Sequence, residues 1–210
     1  MLGLPPTTEV NRRVAKDKFY ANANLTPRLR EVVKDRVESV FWRNKLSAST
    51  FNASAGENID EIQVFEIKLR VRGLDKWVMT AIASAIPYKI LFVLTFGEEA
   101  QVWMEASDEF YGTEWLPLND HVFEFVGLNL DAVYENLARQ LASGRLDSGD
   151  DLMEAVDFDR RRRKIEREIA TLEKKMLVDK QFNRQVDLNA ELKRLKHDLE
   201  ELDNGRKDEV

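Results

Sequence analysis

Glu66-Ile67-Lys68 places a carboxylate and an amine two residues apart. In an extended strand, residues so spaced project from the same face. A carboxylate that holds Mg²⁺ and a lysine that orients the attacking water form the second half of the restriction-nuclease metal motif, in which an upstream acid precedes Glu-x-Lys. The chain offers no convincing upstream acid on a separate neighbouring strand. Glu57 and Asp60 lie in the approach to the same strand. The residues therefore leave two readings open. One is a divergent Mg-dependent nuclease with Glu66 and Lys68 as its catalytic pair and Mg²⁺ as its cofactor. The simpler one is a charge pair at a strand end, which contributes little to stability; on that reading no catalysis, metal or cofactor is expected.

The sharpest basic run is Arg160, Arg161, Arg162 and Arg163, followed by Lys164. Such a run can touch phosphates and make a nucleic-acid-binding module. Asp157 and Asp159 precede it and Glu166 and Glu168 follow it. Intrahelical ion pairs on a solvated face are the plainer expectation. His121 and His197 are the only histidines, too few for a multi-histidine metal site, and both are expected at the surface. Trp115 lies in a loop-like stretch and suits either an anchor for a partner or a plug beneath the loop. There is no Gly-x-Ser-x-Gly elbow and no phosphate-cradling glycine loop.

The elements that must position these groups follow from periodicity. Thr26-Pro27 is a helix start, with Thr as N-cap and Pro at the first helical position. Leu29, Val33, Val37 and Val40 extend its apolar stripe, so a helix is expected over 27–40. Short strands around a turn are expected at 41–42 and 49–52, and residues 1–26 read as mostly irregular. The stretch 61–71 is apolar on both faces and reads as a buried strand. Leu74 to Ala85 marks an amphipathic helix that Pro87 ends. Buried strands at 88–96 and 101–106 flank Gly97. A helix crossover implies that the first two of these core strands are parallel, and a hairpin adds the third antiparallel. Residues 111–118 read as loop and 121–126 as a weak strand. Asn129 caps a further helix that Ser143-Gly144 ends.

The final quarter changes character. Residues 157–202 contain neither Gly nor Pro. Ile165, Ile169, Leu172 and Met176 recur in steps of four and three, as do Leu188, Leu192, Leu195, Leu199 and Leu202. That spacing makes a coiled-coil seam and a helix-binding surface. The two seams are out of phase around residues 178–184, so the chain either reverses there as an antiparallel hairpin or bends while remaining helical. The hairpin is the reading adopted, because one chain then buries both seams; the missing Gly and Pro argue against it. The expected organisation is an α/β domain over 1–144 with a small mixed sheet flanked by helices, an acidic linker over 145–156, a coiled-coil-like extension over 157–203 and a disordered tail over 204–210.

Composition is consistent with this plan. The 210 residues are 43% hydrophobic and 33% charged, as a globular domain with a long exposed helix would be. The absence of cysteine excludes disulfides, thiolate metal sites and a Cys nucleophile. The longest apolar run, Ile90 to Phe96, has strand length, and the N-terminal residues lack a signal-peptide pattern, so a cytoplasmic protein without a membrane span is expected. Residues 1–156 carry 17 Lys and Arg against 24 Asp and Glu, a net −7. A basic face for duplex DNA is therefore not written into the domain's overall charge, although a local patch is compatible with it.

Several segments carry a family resemblance: Thr8-Glu9-Val10-Asn11, Ile86-Pro87-Tyr88-Lys89-Ile90-Leu91-Phe92-Val93-Leu94, Thr113-Glu114-Trp115, Leu128 to Asn136, and Lys180 to Asn189. In this order they are similar to the bacterial and archaeal domain-of-unknown-function family 4391. The resemblance implies a place in restriction-like, anti-phage defence systems beside DNA methyltransferases and helicases. It implies no catalytic residues. The expected role is thus a non-catalytic accessory subunit that grips a large helicase or methyltransferase partner, or a second copy, through Ile165, Ile169, Leu172, Met176, Leu188, Leu192, Leu195 and Leu199, with Trp115 as a further contact and DNA reached indirectly.

Overall fold

The computed structural model describes residues 2–15, 26–147, 149, 151–179 and 181–207. It forms two compact units, Met1–Arg145 and Leu146–Val210. The elements of the first are β1 (Glu9–Val14), α1 (Pro27–Arg36), β2 (Val37–Ser47), β3 (Glu61–Leu69), α2 (Lys76–Ala83), β4 (Lys89–Phe96), β5 (Glu99–Ala106), β6 (Glu109–Gly112), β7 (Leu116–Pro117) and α3 (Leu130–Ala142). The second consists of α4 (Leu152–Val178) and α5 (Phe182–Lys207).

One seven-stranded sheet runs β1-β2-β3-β4-β5-β6, with β7 paired to β5. Only β3 and β4 are parallel, joined by the α2 crossover; the other pairings are antiparallel. On one face Phe65, Ile67, Leu69, Phe92 and Leu94 pack with Leu29 and Val33 of α1 and with Val78, Met79 and Ile82 of α2. On the other, α3 lies against β3, β5 and β6 and buries Leu130, Val133, Leu137 and Leu141 completely. Burial of this kind stabilises each large aliphatic side chain by roughly 1.5–3 kcal/mol. The caps follow the sequence: Thr26 Oγ1 accepts from Leu29 N at 3.3 Å, and Asn129 Oδ1 accepts from Ala132 N at 2.9 Å. Ser143 and Gly144, both at positive φ, stop α3.

Four local expectations are corrected. The first helix ends at Arg36 rather than at 40, because Val37 onward pairs with β3 and the ladder outcompetes the helical stripe. The expected fragments at 41–42 and 49–52 are replaced by the single long strand β2, and residues 49–52 form its turn, where Thr50 Oγ1 accepts from Ser47 N and donates to Lys45 O. The polar segment 9–14 is not irregular: it is an edge strand held by main-chain bonds to β2. Within 111–118 the chain completes β6 and forms β7 instead of a plain loop, whereas 121–126 makes no strand.

The second unit is the helical hairpin. Leu172, Leu192 and Leu195 are buried in its seam, flanked by Ile165, Ile169, Met176 and Leu188. Cross-helix pairs Lys196–Glu173 at 3.0 Å and Arg162–Asp203 at 3.6 Å border it. The reversal needs neither Gly nor Pro, because Asp179 adopts an ordinary extended conformation and accepts from Gln181 N at 2.9 Å, an Asx turn. Its carbonyl also accepts from Gln185 Nε2 at 2.7 Å. Asp151 Oδ1 caps α4 through Met153 N at 2.8 Å, so regular structure begins inside the expected linker. Helix α5 continues through 204–207 of the expected tail, and 208–210 lie outside the described residues. No helix among the described residues is long and apolar enough to cross a membrane.

Candidate functional site

Strand β3 sends Phe65, Ile67 and Leu69 to the core shared with α1 and α2, so Glu66 and Lys68 share the opposite face. Glu66 is only 4% exposed. Its neighbours on β2 and β4 in the register are Phe41 and Val93, and those of Lys68 are Ser39 and Thr95. No acid stands opposite the Glu-x-Lys pair. The cation is Arg43. Arg43 lies two residues after Phe41 and so shares its face, on the Glu66 side; a register shift between Trp42 and Asn44 makes it the extra residue of a bulge in β2. Arg43 Nε donates to Glu66 Oε2 at 2.5 Å, and Thr95 Oγ1 donates to Oε1 at 3.3 Å. Arg43 Nη1 donates in turn to Asn11 Oδ1 on β1 at 3.2 Å. Both oxygens that the nuclease reading assigns to Mg²⁺ thus accept bonds from protein donors.

Phe41 lies between two cations: the Arg43 guanidinium is 4.6 Å and the Lys68 ammonium 5.6 Å from its ring centroid. Arg13 on β1 pairs with Phe41 in the register. Val14 packs into the α1–α2 core, so Arg13 projects to the Glu66 side. Among the described residues, no group of three or more His, Asp or Glu is placed to hold a metal ion.

A second polar centre lies at the other end of the sheet. Glu61 is buried, pairs with Lys45 at 2.5 Å and accepts from Gln63 Nε2 at 2.7 Å. A cavity of about 250 Å³ there is lined by residues including Asp60, Glu61, Tyr88, Lys89 and Glu105. Burial raises the carboxyl pKa of Glu105; Lys89 partly offsets this and Asp108 adds to it. Tyr134 donates its hydroxyl to the Glu105 carbonyl, and burial, with Glu105 nearby, raises the phenol's pKa.

The other candidates are placed as follows. Trp115 is partly buried against the α1–α2 core with the Arg72 guanidinium 5.3 Å from its ring, which is the plug position. His121 is not at the surface: it is 4% exposed and its Nε2 lies 2.8 Å from the Ala100 carbonyl. His197 is exposed, 3.4 Å from Glu201. In the basic run Arg160 pairs with Asp157 at 3.0 Å, Arg163 with Asp159 at 2.9 Å and Arg162 with Glu166 at 3.3 Å, while Arg161 Nε donates to the Asp157 carbonyl. Ile165, Ile169, Leu172, Met176, Leu188, Leu192 and Leu195 face one another across the hairpin, and Leu199 is half-buried further along α5. Sequence reasoning missed Arg43, Phe41 and Arg13. No local pattern marks them; the pairing of β2 with β3 and of β1 with β2 brings them to Glu66.

No curated protein and no solved structure matches the chain. The family model described as Domain of unknown function (DUF4391) matches residues 2–199. That match spans the sheet domain and most of the hairpin, and the protein belongs to this family of unknown function.

Proposed function

We propose that the protein is a non-catalytic accessory subunit of a prokaryotic DNA-targeting defence complex, bound to a large helicase or DNA methyltransferase through its helical hairpin. The observation that carries the reading is what the hairpin leaves uncovered. Its seam is closed by its own two helices, yet Leu177, Val178 and Val186 beside the turn are 87%, 79% and 52% exposed. Exposed aliphatic side chains grouped at the end of a rigid element suit insertion into a partner's pocket. The docking point is then the turn end, and the seam residues act by holding that end in shape. The Arg43–Glu66 pairing favours this reading over the Mg-dependent nuclease, since a metal would have to displace a charged donor from a buried carboxylate.

Co-purification of the tagged full-length chain from its native host tests the reading. The triple variant Leu177→Ser, Val178→Ser, Val186→Ser keeps the helices and is expected to lose the partner, as is deletion of 157–210. Undiminished recovery of the helicase or methyltransferase by the triple variant refutes the assignment of the turn end.

A further inference from the structure

We infer that the cavity at the end of the α1–α2 core receives a primary alkylammonium group, held by the Glu105 carboxylate with its methylenes against Ile90 and Phe92. This inference stands apart from the adaptor reading, because it concerns the sheet domain alone and its test needs no partner subunit.

Alternation along β5 sets a carboxylate on the apolar side of the sheet. Glu105 lies two residues after Trp103, which packs against the α1–α2 core, and it pairs in the register with Phe110 of that core. Beside it is the cavity of about 250 Å³, walled by Ile90 and Phe92 from β4 and by Ala83 and Ile86 where α2 ends. The Glu105 side chain is half-buried, and among the described residues its carboxylate accepts no hydrogen bond and joins no ion pair. The lysines nearby are engaged elsewhere. Lys45 pairs with Glu61. Lys89 borders the cavity, yet it alternates with Ile90 to the other face of β4, where its ammonium stands 5.4 Å from the Tyr134 ring centroid. It offsets only part of the burial that raises the Glu105 pKa, and Asp108 adds to that rise. Of the carboxylates on the cavity wall, Glu61 has its lysine and Asp60 is exposed to water. Glu105 has neither a paired cation nor full hydration.

Volume and chemistry together set the ligand class. Pockets for drug-sized molecules span about 300–1,000 Å³, so this smaller one takes a short aliphatic chain and excludes a nucleotide. The unmatched carboxylate calls for a cation. Among the described residues no three His, Asp or Glu are placed around a metal ion. One carboxylate suffices for an ammonium, through a charge-assisted hydrogen bond. The methylenes behind that ammonium bury against Ile90 and Phe92, and Tyr88, 41% exposed at the rim, adds a ring of the kind that ammonium groups favour. The group has two sources, a free aliphatic diamine or a lysine side chain of another protein, and two probes separate them.

Isothermal titration calorimetry of the full-length protein at neutral pH with putrescine, with Nα-acetyl-lysine amide and with butanol is the test. The amines are expected to bind and the alcohol is not. Tighter binding of putrescine identifies a free diamine as the source, and tighter binding of the capped lysine identifies a protein side chain. Glu105→Gln keeps the shape of the wall and is expected to weaken binding of the better amine about tenfold or more. Ala83→Leu fills the cavity from a helical position and is expected to weaken it to a similar degree. Glu98→Gln, at the turn between β4 and β5 and so at the opposite end of β5 from Glu105, is expected to change nothing. Melting temperatures of all variants are read in parallel, so that a loss of binding is attributed to the cavity only in a folded protein; Glu105→Gln removes a carboxylate that burial disfavours and is expected to fold. The inference is overturned by failure of both amines to bind the wild type, by equal binding of the alcohol, by full binding in Glu105→Gln, or by full binding in Ala83→Leu.

Discussion

Arg43 and Glu66 are 23 residues apart in the chain and joined at 2.5 Å in the fold, with Arg43 the extra residue of a bulge in β2. Phe41 and Arg43, two residues apart on β2, both project to the Glu66 side, so the carboxylate meets a cation as well as a ring. A carboxylate that is 4% exposed needs such a partner, because burying an unpaired charge is costly. Arg43→Met is therefore expected to lower stability by about 2 kcal/mol, less than for a fully buried pair because the Arg43 side chain is 28% exposed. The double variant Arg43→Met, Glu66→Gln should recover part of that loss. Urea denaturation of the double-mutant cycle measures it, and a purely additive cycle contradicts the coupling.

Gly56 faces Asp131 across the start of α3. A Cβ at Gly56 would collide with the Asp131 carboxylate, whose Oδ2 accepts from Glu57 N at 2.7 Å and Asn58 N at 3.3 Å. Gly56→Ala must expel that carboxylate and break both loop bonds. A loss of about 1–3 kcal/mol is expected. In an Asp131→Ala background the same substitution should cost much less. Equal costs in the two backgrounds would show that the clash is not with Asp131.

Glu105 sets a pH dependence. Its carboxyl pKa is raised from the ordinary value of 4.5, chiefly by burial. The folded state therefore binds the proton more tightly than the unfolded chain does, and the stability this contributes is present in full below about 4.5 and lost as pH rises through the folded-state value. Glu105→Gln removes the titration. Its melting temperature relative to the wild type should rise as pH increases through that window, by differential scanning calorimetry, and stay level above it. A constant difference from acid to neutral pH contradicts the assignment.

The hairpin depends on a short seam. Leu192 is 8% exposed between the helices, and Leu192→Ala should destabilise the hairpin by about 2 kcal/mol, at the low end for buried leucines because the seam is narrow. Asp179→Ala removes the side-chain acceptor of the turn and should cost about 1 kcal/mol. Amide exchange within 165–199 reads both effects. Unchanged protection in Leu192→Ala would mean that the seam does not hold the two helices together.

By itself the sequence determined the helices with a strong apolar stripe, the buried strands β3, β4 and β5, the caps at Thr26 and Asn129, and the phase break that separates α4 from α5. Each is a local quantity: side-chain spacing sets which face is apolar, and capping chemistry acts within one turn. Tertiary structure decided the rest. The segment Glu9–Val14 has no alternating pattern, since an edge strand with one solvated side is held by main-chain bonds that its side chains do not announce. The reversal at Asp179 comes from a side-chain-to-backbone bond where the usual turn residues are missing. His121 is buried because a carbonyl of β5 lies within hydrogen-bond reach of its ring. Glu66 was visible as half of a motif, but its meaning was set by what stands beside it. The register of β1, β2 and β4 brings Arg43, Thr95 and Phe41 to it rather than a second acid, and that register is a long-range property that no spacing within the chain encodes.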